Sequence, residues 1–229
     1  MEDKQDYLGH RERLRDRFQK AGAAGLKDYE LLELLLTYAI PRKDVKPYAK
    51  ALIRRFKSLG GVLDANQKEI EEVEKIGPIS STLIRLVKEI CGEYLAEKMK
   101  GKEAVSSPRA VLDFARMKLS GLPHEAFMAI FLNAKNRVLD YEILQEGTVD
   151  RTVIYPRRVV ERALAHKAAG IIFVHNHPSG DAQPSPEDKN LTRTLMEAAR
   201  TIDLRVLDHL IVGKEGYCSF VESRLMPGA

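Results

Sequence analysis

The segment IIFVHNHPSGDAQPSPED, residues 171–188, decides how the second half of this chain is read. Its four leading apolar residues form a buried-strand run. His175 and His177 follow at the end of that run, and residues two apart on an extended chain project to the same face. Two imidazoles converging from one strand end supply half of a tetrahedral metal site. Asp188 stands eleven residues beyond His177, in the first turn of a following helix, and a loop of that length can return the helix start to the strand end. Two neutral histidines and one carboxylate leave a zinc ion positively charged with a fourth position open to water, the pattern of a catalytic zinc rather than a structural one. The same residues also read as a helix start, with Ser185 at N-cap, Pro186 at N1 and an acid at N3. Capping accounts for Ser185 and Asp188 and leaves the two histidines unexplained. The readings are compatible, because a cap can orient the turn that delivers a ligand.

Around this segment strand and helix patterns alternate. AFMAIFLN and RVLDYEILQE flank the polar AKN as a hairpin, Pro156 opens a helix to about Lys167, and the Ser185 helix runs to about Thr201. LRVLDHLIVG and YCSFVE close the chain as strands, and Ser107 with Pro108 opens a further helix as cap and first turn. Residues 6–99 instead show only helical spacing, in LLELLL after Asp28, AKALIRRF, EIEEV and a run over about 79–97. KMKGKEAVS, 98–106, loses that period. The expectation is an all-helical domain over 1–99, a linker over 100–106, and an α/β domain with a mixed sheet over 107–229.

Several function classes are set aside by composition. No run reaches the roughly 18 apolar residues that span a bilayer. The first residues, MEDKQDYLGHRERLRDRF, lack the apolar centre of a signal peptide. Cys91 and Cys218 stand alone and read as packing residues, so a cytoplasmic location is expected. The net charge of +4 is mild, with 20 Lys/Arg against 17 Asp/Glu in residues 1–100 and 17 against 16 in the rest. Within the first part, RKDVKPYAKALIRRFK concentrates seven basic residues, including Lys50, Arg54 and Arg55, against Asp44 alone. Such a run is either a solvated helix face or a phosphate contact.

The stretch EEVEKIGPISSTLIRLVKE reads as a helix, a tight turn at Ile76-Gly77 and a second helix opened by Pro78. It resembles a helix-hairpin-helix element, whose turn offers backbone N–H groups to a nucleic-acid phosphate without reading bases. Such turns usually carry two glycines; here Lys75 takes the first place and Gly77 the second, and the lysine could itself reach phosphate. The other reading is an ordinary αα-hairpin that serves packing alone.

The spacing H-x-H-P-x6-S-x2-D, from His175 to Asp188, is similar position for position to the JAMM (MPN+) metalloprotease signature. With RVVERALAHKAAGIIFVHNHPSGDAQPSPED and the later LDHLIVG, the chain resembles the RadC family over nearly its whole length. Asn176 stands where deubiquitinating relatives have Ser or Thr, a choice usual in the RadC branch. The resemblance implies a JAMM-like (MPN+, cytidine-deaminase-like) fold after a helix-hairpin-helix domain, with His175, His177 and Asp188 as zinc ligands. It also implies a glutamate at the start of the first core strand, the place of Glu125 in LPHEAFMAIFLN; Glu142 and Glu146 on the next strand are the alternatives. The implied chemistry is metal-assisted hydrolysis: zinc acidifies water, Glu125 takes the proton and passes it to the leaving group, and Ser185 hydrogen-bonds the developing oxyanion.

Asp208 and His209 follow a strand and could hold a ligand imidazole from behind, or mark a structural turn. Arg151, Arg157 and Arg158 could bind an anionic substrate, or sit at an exposed helix start. His10, His124 and His166 lack partner spacing and read as surface or local packing residues. Three readings of function remain. The first is a zinc hydrolase acting on peptide or isopeptide bonds, with a helical domain that binds DNA regardless of sequence. The second is a DNA-processing metalloenzyme, and the third a DNA-binding module whose JAMM domain is not catalytic. None requires a membrane.

Overall fold

The computed structural model describes residues 6–104, 108–147, 154–214 and 216–228. The chain forms two compact units, Met1–Ile90 and Cys91–Ala229. Among the described residues no helix is long and apolar enough to cross a membrane.

The first unit is helical. It runs through α1 (Asp6–Ala21), a 3-10 turn (Gly22–Gly25), α2 (Asp28–Ala39), α3 (Lys46–Phe56), α4 (Leu59–Asp64), α5 (Gln67–Glu71) and the first part of α6 (Pro78–Met99). The apolar spacing that marks these helices supplies their core: Leu32 and Leu36 of α2 pack with Ala49 and Leu52 of α3, Val62, Ile70 and Ile84. α1 is mostly polar and is tied by the Arg17–Glu30 ion pair at 2.9 Å and by a hydrogen bond between His10 and the buried Glu33 at 2.9 Å. His10 therefore has a specific partner, which lies 23 residues away in sequence. Between α5 and α6 the chain turns with Lys75 in the left-handed region, at φ +66°, and Ile76 buried beneath it. Lysine thus adopts the conformation for which such turns usually recruit glycine.

The division between units falls inside α6, not at the expected linker. Residues 100–104 are held to the sheet: Gly101 N–H donates to Val138 O, Val138 N–H to Lys102 O, and Ala104 N–H to Asn136 O. Met99 and Ala104 are buried, and the loss of helical period at 98–106 marks a change of structure rather than an exposed tether. Ser107, the expected cap of the next helix, lies outside the described residues.

The second unit is a five-stranded mixed sheet in the order β2-β1-β3-β4-β5, with helices on both faces. Its elements after α6 are α7 (Pro108–Leu119), β1 (Ala126–Leu132), β2 (Val138–Glu146), α8 (Pro156–Ala165), β3 (Gly170–Asn176), α9 (Pro186–Arg200), β4 (Arg205–Val212) and β5 (Tyr217–Ser219). β1 and β3 are buried along their whole length, which is why AFMAIFL and GIIFV are near-continuous apolar runs. Met128, Ile130, Ile172 and Val174 meet α7 on one face, while Phe127, Phe131, Phe173 and Ile171 meet α8 and α9 on the other. The expected last strand is shorter than YCSFVE. β5 stops at Ser219 because the Asp208 carboxylate accepts from Ser219 Oγ at 2.6 Å and Val221 N–H at 3.1 Å, drawing the chain into a turn.

Candidate metal centre

β3 ends at the site, and its two neighbours set the geometry. β3 runs parallel to β4, and His177 N–H donates to Val212 O at 3.0 Å, so the ladder carries one residue past the strand. β1 runs antiparallel to β3 with Phe127 opposite His175; extending that register by two residues sets Glu125 across from His177. The loop 178–184 then doubles back. Gly180 takes φ +92°, and Lys214 N–H donates to Gly180 O at 3.0 Å. A Cβ at Gly213 would lie 2.3 Å from Gly180 O, so only glycine lets the loop lie against the end of β4.

That return delivers α9 to the strand end. Ser185 caps the helix: its Oγ accepts from Asp188 N–H at 3.1 Å, and Asp188 Oδ2 accepts from Ser185 N–H at 2.8 Å. The reciprocal cap turns the Asp188 carboxylate toward the histidines. Its Oδ1 lies 3.1 Å from His175 Nε2 and its Oδ2 lies 3.3 Å from His177 Nε2, while the two Nε2 atoms are 3.0 Å apart. Capping and ligand presentation are one device.

The tautomers follow from the hydrogen-bond partners. Thr192 Oγ1 donates to Asp188 O at 2.6 Å, so it must accept from His209 Nδ1–H, also at 2.6 Å. His209 is fully buried, and burial pushes its pKa well below the ordinary value, helped by the nearby His175. A neutral His209 protonated on Nδ1 accepts at Nε2, and His175 Nδ1–H donates to it at 2.8 Å. His175 is left with a bare lone pair on Nε2. His177 Nδ1–H donates to Asp181 O at 2.7 Å, which points its Nε2 at the same spot. The backing of a ligand imidazole expected of Asp208 or His209 therefore comes from His209, held by Thr192 and stacked on Phe220. Asp208 faces the other side of the sheet, in the wall of a cavity of about 650 Å³ with Leu207, Leu210 and Val111.

Charge balance fits a cation. Burial raises the Asp188 carboxyl, but its close contacts with His175, His177 and the Ser185 hydroxyl outweigh it and hold the group far below the usual carboxylate range. The hydrogen bond to Asp188 raises His177 above its ordinary value against the cost of burial, with Asp181 O and the charge of Glu125 adding to it. A cation at this spot would meet the same carboxylate that favours the charged form of His177. The ligand atoms of His175, His177 and Asp188 all lie within 4.8 Å of one another, the one such metal-capable group found among the described residues. Tetrahedral zinc with Zn–N near 2.0–2.1 Å sets its donors roughly 3.3 Å apart. The observed spacings of 3.0–3.3 Å fit that donor set.

Proton and metal compete, and the sign is clear. A raised His177 pKa stabilises the metal-free fold fully below about pH 6.5, and this contribution is lost as pH rises through the raised value. Metal binding needs the deprotonated ring, so zinc affinity should fall as pH drops through the same window. Melting curves of EDTA-treated and zinc-loaded protein should diverge with rising pH; a constant separation from about pH 5 to about pH 9 would remove His177 from the ligand set.

The other expected residues fall as follows. Glu125 is exposed, one residue before β1. Glu142 instead faces α8, where Arg162 forks onto it and His166 Nε2 lies 2.7 Å away. Hydrogen bonding from Arg162, over an opposing burial cost, lowers its pKa to about 2, which makes it a weak base, and its oxygens are engaged by Arg162 and His166 rather than by the cluster. Glu146 lies 3.6 Å from His124 at the end of β2. His166 also stacks on Phe131 at 4.3 Å. Arg157 and Arg158 lie in the first turn of α8, Arg157 over the Tyr155 ring, and Arg151 lies outside the described residues. In the first unit, Lys50 sits over the Tyr29 ring at 5.0 Å and Arg55 pairs with Glu72. Arg54, Lys57 and Lys75 are exposed, and Gly77 precedes α6. The hydrogen bonds of Thr192 and Asn176 leave no trace in the sequence, since a buried threonine or asparagine has no spacing signature.

The chain is similar to known proteins over most of its length. A RadC-like JAB domain model matches residues 105–225, and a UPF0758 N-terminal model matches residues 7–82. A UPF0758 protein of Pseudomonas fluorescens is 43% identical over 211 residues, covering 92% of this chain and 94% of the relative.

Proposed function

The chain belongs to the UPF0758 family and carries its RadC-like JAB domain, and on that premise we propose that it is a zinc-dependent hydrolase of peptide or isopeptide bonds. One observation carries the reading: a two-nitrogen, one-carboxylate cluster whose His177 lies within reach of the Glu125 charge. Zinc held by His175, His177 and Asp188 would supply a Lewis acid and a nucleophilic water at neutral pH. The exposed Glu125 takes the proton of the attacking water and returns it to the leaving nitrogen. Ser185 now donates its hydroxyl proton to Asp188 Oδ2 at 2.7 Å. Rotation about Cβ–Oγ aims that proton at a developing oxyanion while the oxygen keeps its cap bond. His209 and Thr192 keep the His175 lone pair pointed inward.

The test offers zinc-loaded full-length protein peptide libraries, isopeptide-linked peptides and several DNA forms side by side, with Glu125→Gln as the blank. Amide cleavage that the blank lacks supports the proposal. Cleavage confined to phosphodiesters transfers the site to DNA processing, and turnover of none leaves a binding module.

For the first unit we propose sequence-independent DNA binding, on the strength of exposed Arg54 and Lys57 and of Lys75 in the hairpin turn. Binding by the full chain should weaken steeply with salt. The pair Arg54→Glu and Lys57→Glu should weaken it further and flatten the salt dependence by about one to two counterions. Arg55 is a poorer probe because Glu72 already neutralises it. Affinity unmoved by the double reversal would shift the contact to the hairpin, where Lys75→Glu is the next variant.

A further inference from the structure

Asn176 lies between the two histidines, yet its side-chain hydrogen bonds run to the start of β1. The residue is 3% exposed, and its amide turns toward β1. Ala126 N–H donates to Asn176 Oδ1 at 2.8 Å, and Asn176 Nδ2 donates to His124 O at 3.1 Å. One partner is a donor and the other an acceptor, so the orientation of the amide is fixed. These two backbone groups belong to the residues on either side of Glu125. On the opposite edge, Gly147 N–H donates to Glu125 O at 2.8 Å.

The strand register explains why a side chain is needed there. β1 and β3 pair as far as Phe127 and His175. Two steps beyond Ala126 and Asn176, a continued ladder would set His124 against Pro178, which has no N–H to give. The Asn176 amide replaces that missing ladder group, offering one acceptor and one donor as a peptide would. A hydroxyl in its place has one short arm and cannot span both groups.

We propose that Asn176 is a positioning residue for Glu125: its amide carries the β1–β3 ladder past the strand end and so fixes the backbone from which Glu125 reaches the site. The inference rests on Glu125 as the proton-transfer group of the proposed hydrolase. It gives the middle residue of the H-x-H segment a task separate from metal binding.

Cobalt(II) in place of zinc makes the site visible through its absorption bands, recorded on the full-length protein at one fixed pH. Asn176→Ala should keep one cobalt per chain, speed exchange of the Ala126 amide at least tenfold, and move the bands toward those of Glu125→Gln. In a Glu125→Gln background the same change should move them no further, because residues acting through one group are not additive. Asn176→Asp keeps the acceptor for Ala126 but sets an oxygen against His124 O; it should keep the Ala126 amide protected and still shift the bands. That variant carries the comparison if Asn176→Ala does not fold. Unchanged bands with cobalt bound, or an equal added shift in the Glu125→Gln background, would overturn the inference. A wild-type chain that takes up neither cobalt nor zinc would instead overturn the metal reading, and this inference with it.

Discussion

Asp188→Ala protein is expected to leave purification without zinc, as is His175→Ala, whereas the intact protein should hold about one zinc per chain. Loss of even an outer partner of a zinc site costs about 10–100-fold in affinity, and removal of one of three ligands costs more. Each variant fails for its own reason. Without His175 the His209 Nε2 acceptor loses its donor inside a sealed aromatic cage. Without the Asp188 carboxylate both the ligand oxygens and the cap bond to Ser185 N–H go together. Asp188→Asn separates the two effects, since it keeps an oxygen for the cap and loses the charge that balances the cation. It should fold and still lose zinc. Metal analysis decides the matter, and wild-type zinc content in a His175→Ala/His177→Ala double variant would falsify the ligand assignment.

What could be read from the sequence differs by residue, and the differences are physical. His175, His177 and Asp188 were legible because a strand end and a capped helix start confine them to fixed faces, so spacing translates into space. The sheet strands β1 and β3 were legible because burial on both faces writes an uninterrupted apolar run. Hydrogen-bonded pairs across the fold leave no such trace. His166 meets Glu142 only because β2 and α8 face one another, and His10 meets Glu33 only because α1 lies on α2. His209 and Asp208 are adjacent in sequence, yet alternation along β4 sends one to His175 and the other to the opposite face. β5 stops short of its apolar pattern because a side chain on β4, Asp208, caps the turn that ends it. The linker expected at 100–106 has no helical period because 101–104 add to the edge of β2, and added strand residues need no apolar period of their own.

Glu125→Gln should fold normally and hold zinc normally, yet hydrolyse roughly 10²- to 10⁴-fold more slowly, the loss typical of removed general acid–base catalysis. The variant preserves size and hydrogen-bonding shape and removes only the capacity to take a proton. Its backbone is held from both sides, by Gly147 N–H at Glu125 O and by the Asn176 amide at the flanking residues, so the substitution should not loosen the strand end. Two comparisons separate chemistry from architecture. His177→Ala should lose both zinc and turnover, whereas Glu125→Gln should lose turnover alone. Ser185→Ala should slow turnover and also cost about 1 kcal/mol of stability, because the same hydroxyl caps α9. Glu142→Gln is expected to act on stability rather than turnover, since Arg162 already holds that carboxylate ionised down to about pH 2. Its contribution is present above the ordinary glutamate pKa of about 4.3 and fades as pH falls toward the folded value. Full activity of Glu125→Gln on a substrate that His177→Ala cannot process would place the base elsewhere. Glu146, at the end of β2 beside His124, would then be the remaining carboxylate of the three to test.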